Sequence, residues 1–226
     1  MPRRSPPTFK SVVLLSGGLD SAVNLALASR HQPPVLALTF DYGHRAARAE
    51  IRAARDLCKM FNATHRVVPL PWLKPLMPPA LVTRGAGLPT RTGDVSAVWV
   101  PNRNGVFIAV GAAVAEAHGA GVVVAGFNAE EAASFPDNSS AFIRAANRAL
   151  RFSTRSRVRL MSYTGRLDKK ATVARGVAAR VPFRLIYPCY AEGPRPCGQC
   201  VSCRRTYRAL MANDLGAEAA NFAPRP

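Results

Sequence analysis

The sequence predicts an α/β fold built on a doubly wound parallel sheet. Three observations carry this prediction. Short, β-branched apolar runs recur along the chain, SVVLL (11–15) being the first. Most of them alternate with stretches of helical periodicity. The first strand-to-helix turn is SGGLDS (16–21), a glycine-rich turn of the kind that opens such folds. Strands alternating with helices imply parallel pairing, right-handed crossovers and helices on both faces of the sheet.

Each element follows in order. SVVLL is short and continuous, as a strand buried on both faces should be. Asp20 to Arg30 reads as a helix, VLALTF (35–40) as a second buried strand and DYGHR as the turn after it. Ala46 to Phe61 is helical, and HRVVPL (65–70) is a third strand. Pro71 to Pro101 is rich in Pro, Gly and Thr and lacks periodicity; a loop of that length in a compact domain is expected to be a lid or binding element. Arg103 to His118 is a strong helix leading to the strand GVVVAGF (121–127). Ser139 to Phe152 is a further helix, and RVRLMSY (157–163) a further strand. Asp168 is placed to cap a helix running to Arg180. A cysteine cluster, one helix and the tail NFAPRP close the chain, and no internal repeat is found. A length of 226 residues fits a single domain, 1–226, with a core over 11–185 and a metal-binding segment plus helix over 186–212.

Composition narrows the function classes. Hydrophobic content of 48% is enough for a core, and no apolar run is long enough to span a membrane. MPRRSPPTFK carries Arg3-Arg4 without a hydrophobic stretch behind it, so no signal peptide, no membrane anchor and a cytoplasmic location are expected. The formal charge of +18 admits nucleic acid as a partner. Lysine occurs only at 10, 59, 74, 169 and 170, however, and the arginines are dispersed rather than gathered in a run. That pattern fits a compositional habit, or an anionic small ligand such as ATP, as well as a nucleic-acid stripe.

Four of the five cysteines, Cys189, Cys197, Cys200 and Cys203, form a C-x7-C-x2-C-x2-C cluster. In a cytoplasmic chain such a cluster points to metal rather than disulfides. Four thiolates complete a tetrahedral, structural Zn²⁺ site; an iron–sulfur cluster or reduced thiols are the other readings. Cys58 stands alone in an amphipathic helix and reads as packing.

The turn SGGLDS carries the chemistry. Gly17 and Gly18 allow a tight turn that brings N–H groups close to an anion. The helix that follows points its positive end at the same place, and Ser16 and Ser21 add hydroxyls. The Gly-Lys-Ser/Thr of the common phosphate-binding loop is missing. The full motif, placed after a first buried strand, resembles the signature of the PP-loop ATP pyrophosphatases, with their adenine nucleotide alpha hydrolase-like fold. In that group the loop grips the β- and γ-phosphates while substrate oxygen attacks the α-phosphate, so the resemblance accommodates the absent lysine.

Further motifs resemble one family of that group, the 7-cyano-7-deazaguanine synthases. They are FDYGHR (40–45), VPNRN (100–104), GFNAEEAASFPDNSSAFI (126–143) and CYAEGPRPCGQCVSC (189–203), in the family's order over most of the chain. The resemblance implies conversion of 7-carboxy-7-deazaguanine, ATP and ammonia to the nitrile, by adenylation of the carboxylate, formation of an amide and adenylation of the amide oxygen. It puts Leu15, Ser16, Gly17, Gly18, Leu19, Asp20 and Ser21 at the pyrophosphate and Mg²⁺, and Tyr42 and Gly43 near the nucleotide. Lys170 would neutralise the reacting phosphates, with its neighbour Lys169 merely solvated. Arg103 would bind phosphate or the substrate carboxylate. Asp137 would accept from the guanine-like edge, with Phe127, Asn128 and Phe135 around the base. Each has a plainer alternative: Asp20 as a helix-start acid, Arg103 as a helix anchor, and the Asn/Asp/Ser run as a helix cap.

Two departures stand out. His44 replaces the family's Gln, and FPDNS replaces its Tyr-Pro-Asp-Cys-Arg. The second lies in the substrate loop, so transfer of the activated acid to another amine, such as a protein terminus, is the competing expectation. A tRNA-modifying PP-loop enzyme and a zinc-bearing nucleic-acid binder are the others; the second leaves SGGLDS unexplained. A homodimer is implied by the resemblance, nucleic acid is not required, and free ammonia is expected because no Cys/His glutaminase arrangement is visible.

Overall fold

A computed structural model describes residues 8–90 and 96–224. The pair Arg3-Arg4 and residues 91–95 of the long central segment lie outside the described residues. Among the described residues the chain runs β1 (Ser11–Leu14), α1 (Leu19–His31), β2 (Val35–Asp41), α2 (Ala47–Met60) and β3 (Thr64–Pro69). The short α3 (Pro79–Val82) and long α4 (Arg103–Ala117) lead to β4 (Val122–Ala125). Then come α5 (Ala129–Ala132), α6 (Ser140–Ser153), β5 (Arg159–Met161), α7 (Lys169–Ala178), α8 (Val201–Met211) and α9 (Gly216–Ala219).

All strand pairs are parallel, in the order β3-β2-β1-β4-β5. After β3 the chain crosses back over the sheet through α4 to pair β4 with β1. Strand order therefore reverses between β1 and β4, and a crevice opens beyond their carboxyl ends. Alternate residues of the strands feed two cores. Val13, Ala37 and Val124 face α1, α2, α7 and α8. Val12, Leu36, Leu38 and Val123 face α4 and α6. β1, β2 and β4 are buried on both sides, which is why they read as continuous apolar runs.

The outer strands are different. β3 is partly exposed and β5 spans only Arg159–Met161, shorter than the sequence reading of 157–163. Arg157 takes a positive φ of 55°, which ends the extended run on that side. The free edge of β5 is covered by one side chain. Asn147 on α6 donates to the Leu160 carbonyl and accepts from the Leu160 N–H, at 2.9 Å each. A side-chain amide thus stands in for a neighbouring strand, which protects an edge from pairing with another chain.

The helix starts are built as the sequence suggests. Asp168 accepts from the Ala171 N–H at 2.7 Å, and Ser139 from the Phe142 N–H at 3.1 Å. The long central segment is not featureless: it holds a 3₁₀ turn over Pro71–Leu76, α3 and a second 3₁₀ turn over Ser96–Val98. It packs Leu73, Leu81 and Val98 into the second core.

One close approach locks the crevice. A Cβ at Gly126, just past β4, would lie 2.6 Å from the Ser21 backbone nitrogen. Only glycine allows the exit of β4 to touch the first turn of α1. Gly126→Ala is expected to destabilise the fold by ~1–3 kcal/mol, because backbone and not a flexible side chain must move. The urea midpoint of the variant against the parent checks this.

Candidate active site

The crevice at the switch point is a cleft of about 250 Å³. Its floor is the end of β1 (Leu14, Leu15), of β2 (Phe40) and of β4 (Ala125). Ser16, Gly18, Leu19, Asp20 and Ser21 line one end of it. The Ser16 and Ser21 hydroxyls lie 3.1 Å apart, the Gly18 N–H points to Ser16 Oγ at 3.4 Å, and Ser21 Oγ donates to the Gly18 carbonyl at 3.0 Å. The result is a polar turn at the N-terminus of α1, a helix with no side-chain cap. Uncapped N–H groups and the helix dipole favour an anion there.

A buried ion cluster stands beside that turn. Lys169 and Asp20 are each only 8% exposed. Lys169 Nζ donates to Asp20 Oδ2 and lies 2.8 Å from Glu131 Oε1. Burial would lower the lysine, but the two carboxylates outweigh it and hold the amine well above its ordinary range. Burial also pushes Glu131 up, and Lys169 more than offsets this, so that carboxyl sits low. Burial pushes Asp20 up against the pull of Lys169. The second Asp20 oxygen, Oδ1, is buried without a hydrogen-bond partner. A hard divalent cation such as Mg²⁺ takes carboxylate oxygen ligands, so this orphaned oxygen beside an anion-binding turn fits one.

The other end of the cleft is aromatic and basic. Arg103, at the start of α4, donates to the Tyr42 hydroxyl at 3.4 Å. Burial pushes the Tyr42 phenol up, against the pull of that guanidinium. Tyr42 stacks on His44 with centroids 4.0 Å apart, and His44 Nε2 lies 3.0 Å from Glu50. Phe40 stacks on Phe107 at 4.1 Å, and Trp99 and Phe135 lie parallel within 8°, with centroids 6.1 Å apart. Asp137 lines the cleft between these rings and Arg103. Burial pushes its carboxyl up, against the Arg103 charge.

Not every residue singled out in the sequence reaches the cleft. Lys170 is exposed, with its carbonyl accepting from Asn213, whereas Lys169 is buried in the ion cluster. Successive helix positions are turned ~100° apart, and the packing of α7 on α1 aims the first lysine, not the second, at the crevice. Lys169, and not Lys170, is therefore the lysine that lines the cleft. Gly17 is absent from the lining; it has a φ of 78°, its carbonyl accepts from the Tyr187 N–H at 2.8 Å, and a Cβ would strike α2. Gly43 also lies off the lining, its N–H donating to Asp41 Oδ1 at 3.0 Å. Asn128 is fully buried behind the cleft, where its Oδ1 accepts from the Glu131 N–H at 2.8 Å and caps α5. Leu15, Leu19, Tyr42, Arg103, Phe127, Phe135 and Asp137 do line the cleft.

Glu131 is the residue missed altogether. Its signals were its place inside the motif GFNAEEAASFPDNSSAFI and in the acidic pair Glu130-Glu131, which Asn128 and Ala129 separate from the strand GVVVAGF. Trp99, outside any motif, and Tyr190, inside CYAEGPRPCGQCVSC but singled out for no role, line the cleft as well.

The four residues Cys189, Cys197, Cys200 and Cys203 converge, with all sulfurs within 4.8 Å of one another. Backbone N–H groups of Ala191 and Cys197 point at Cys189 Sγ, at 3.2 and 3.3 Å, and that of Cys200 at Cys197 Sγ, at 3.3 Å. N–H donors to sulfur favour thiolates, and four thiolates at this spacing suit a tetrahedral metal. The cluster packs on Ala46, Ala49 and Ala53 and backs the cleft through Tyr187 and Tyr190.

An α/β sheet with a phosphate-type turn at its switch point, and no P-loop lysine, defines a PP-loop nucleotide-binding fold. NMN synthetase from Francisella tularensis shares the fold, with a TM-score of 0.51 and 18% identity over 96% of this chain and 82% of that one. A family model described as queuosine biosynthesis protein QueC matches residues 10–214, and the chain belongs to that family. It is 48% identical over 218 residues to the 7-cyano-7-deazaguanine synthase of Desulforamulus reducens, covering 92% of this chain and 96% of the relative. It is 44% identical over 218 residues to the same-named protein of Bdellovibrio bacteriovorus, covering 91% and 94%.

The cysteine geometry carries its own expectation. Purified protein should hold one tetrahedral metal ion per chain by elemental analysis. Cys200→Ser should lose it and lower Tm by about 10 °C, because metal binding free energy is folding free energy in such sites.

Proposed function

We propose that this chain is a 7-cyano-7-deazaguanine synthase, converting 7-carboxy-7-deazaguanine, ammonia and ATP to the nitrile, AMP and pyrophosphate. The observation that carries this is a single cleft with an anion-binding turn at one end and a carboxylate among aromatic rings at the other. The family membership supplies the substrate class.

The turn Ser16–Ser21 would hold the departing pyrophosphate, with Lys169 rather than Lys170 facing the reacting phosphates. Asp20 would hold Mg²⁺ through its unpartnered oxygen. When bound, the ion would supply charge neutralisation at the phosphates. A carboxylate oxygen of the acid attacks the α-phosphorus and pyrophosphate leaves. Ammonia then attacks the acyl carbon, loses a proton and expels AMP, leaving the amide. The amide oxygen attacks the α-phosphorus of a second ATP and a second pyrophosphate leaves; loss of AMP and both amide protons then gives the nitrile. Preorganised positive charge near the phosphates, from Lys169, would act where negative charge develops, with Arg103 toward the substrate carboxylate. Asp137 accepts from the N–H groups of the guanine-like edge, and Phe135 and Phe127 pack about the base.

The altered substrate loop is compatible with this chemistry. Asn138 donates to Asp137 Oδ1 at 3.2 Å, and Ser139 caps α6. Two of the three substituted positions, Asn138 and Ser139, thus do structural work, Phe135 at the third lies parallel to Trp99, and Asp137 lines the cleft. His44, at the other departure, stacks beneath Tyr42 and pairs with Glu50. In the same proposal the cysteines hold structural Zn²⁺, residues 11–185 form the nucleotide core and 186–212 the zinc segment. The protein works as a cytoplasmic homodimer without nucleic acid.

Mass spectrometry of the reaction with 7-carboxy-7-deazaguanine, ATP, Mg²⁺ and ammonium tests this. The acid should disappear as nitrile and AMP appear; AMP formation that does not depend on the acid overturns the proposal. Lys169→Ala should lower kcat/KM by a factor of a hundred or more, on the order of the loss of an electrostatic contact to the transition state. Lys170→Ala should stay within about twofold, as an exposed substitution does. Asp137→Asn should raise KM for the acid by about 10–100-fold, the range for a charged hydrogen bond.

A further inference from the structure

Lys169 is held by two carboxylates, not one. Asp20 comes from the first turn of α1, and Glu131 from α5, in the substrate loop. The two acids are not equivalent. Asp20 sits on the anion-binding turn and has an unused buried oxygen. Glu131 is fixed from behind by the fully buried Asn128, and the backbone bond from the Ala129 N–H to the Leu167 carbonyl, 2.9 Å, ties α5 to the start of α7. Its neighbour Glu130 does not reach the amine: one oxygen lies 3.5 Å from Arg205 Nε on α8 and the other accepts from the Lys169 backbone N–H at 3.4 Å, a contact that Gln can keep.

A divalent cation cannot share Asp20 with the ammonium without like-charge repulsion. An ammonium left without a carboxylate in a buried site is strongly disfavoured. From this geometry we infer that Glu131 is a positioning residue for the cation. It is the second counter-ion that keeps Lys169 in place while Asp20 turns to the metal that accompanies the nucleotide. This rests on the proposed function, which brings the metal and nucleotide to the turn. Through Glu131, the loop that bears Asp137 also bears on the phosphate end of the cleft. Arrangement of the base-binding segment and readiness of the metal-binding acid are then linked by one ion pair.

The test reads binding rather than turnover. Mn²⁺ is titrated into protein saturated with α,β-methylene-ATP, which cannot be adenylated onto substrate, and free Mn²⁺ is followed by EPR. Glu131→Gln should need about tenfold more Mn²⁺ than the parent, equivalent to the ~1.4 kcal/mol of one decade. Glu130→Gln, which does not touch the amine, should match the parent. The decisive comparison repeats Glu131→Gln in a Lys169→Met background, where no amine competes for Asp20. There the effect should shrink to within about twofold, because contacting residues couple and removing the partner removes the coupling. An equal loss of Mn²⁺ affinity in both backgrounds means that Glu131 only supports the fold, and overturns the inference; so does no loss in either. If Glu131→Gln fails to fold by circular dichroism, Glu131→Asp, which retains the charge at shorter reach, takes its place with the same two-background comparison. Failure of the parent itself to take up Mn²⁺ with the analogue overturns the proposed function along with the inference, whereas parent binding with no background dependence overturns the inference alone.

Discussion

The buried amine of Lys169 is the interaction on which the cleft depends. An ammonium removed from water must be neutralised locally, and here the neutralising groups come from residues 20 and 131, far apart in the chain. Pairing them requires α1, α5 and α7 to meet at one point. That requirement sets how the segment bearing α5 sits over the sheet. A buried pair of this kind contributes little net stability, since desolvation offsets the attraction. What it supplies is position: breaking it from one side leaves an uncompensated charge, so alternative arrangements of the loop are strongly disfavoured.

A neutral network supports the charged one. Asn24, fully buried on α1, donates to the Asp20 carbonyl at 2.8 Å and to Thr164 Oγ1 at 2.7 Å, and accepts from the Tyr163 N–H at 2.8 Å. Thr164 Oγ1 in turn donates to the Phe127 carbonyl at 2.6 Å. The exits of β4 and β5 are thus sewn to the first turn of α1. Satisfied polar groups in a low-dielectric interior specify one arrangement, because each unpaired alternative is costly. Together with the contact at Gly126, this network holds the anion-binding turn rigid before any ligand arrives, so little ordering remains to be done on binding.

The carboxyl-terminal segment is part of the site and not an appendage to it. Tyr187, Pro188 and Tyr190 line the cleft just before and after Cys189, the first of the clustered cysteines, and Ser202 and Thr206 do so from α8. Arg205 reaches Glu130 on α5. The C-terminal residues close over this segment, since a Cβ at Gly198 would fall 2.1 Å from the Ala223 carbonyl oxygen. A stretch with few apolar residues could not order itself by burial alone; a metal would provide the constraint that hydrophobic packing does not.

The sequence alone determined the strands and the longer helices, their alternation, the doubly wound class and the family, because buried strands and amphipathic helices leave periodic patterns and the SGGLDS turn and cysteine spacing are chemically restrictive; the short α3, α5 and α9 left no such pattern. The cysteine cluster and the anion-binding turn were legible for the same reason: their geometry is set by neighbours close in the chain. Tertiary structure decided everything that depends on two distant segments meeting. Which of two adjacent lysines enters the cleft follows from how α7 is rotated against α1, and nothing local to Lys169-Lys170 encodes that rotation. Glu131 gains its place only because a four-residue helix is pinned to residue 167 across the fold. Gly17 and Asn128 belong to the motifs but lie off the cleft lining: a Cβ at Gly17 would strike α2, and Asn128 caps α5. Local pattern records what a segment is; the direction in which a side chain points is decided by the packing of segments that the pattern does not connect.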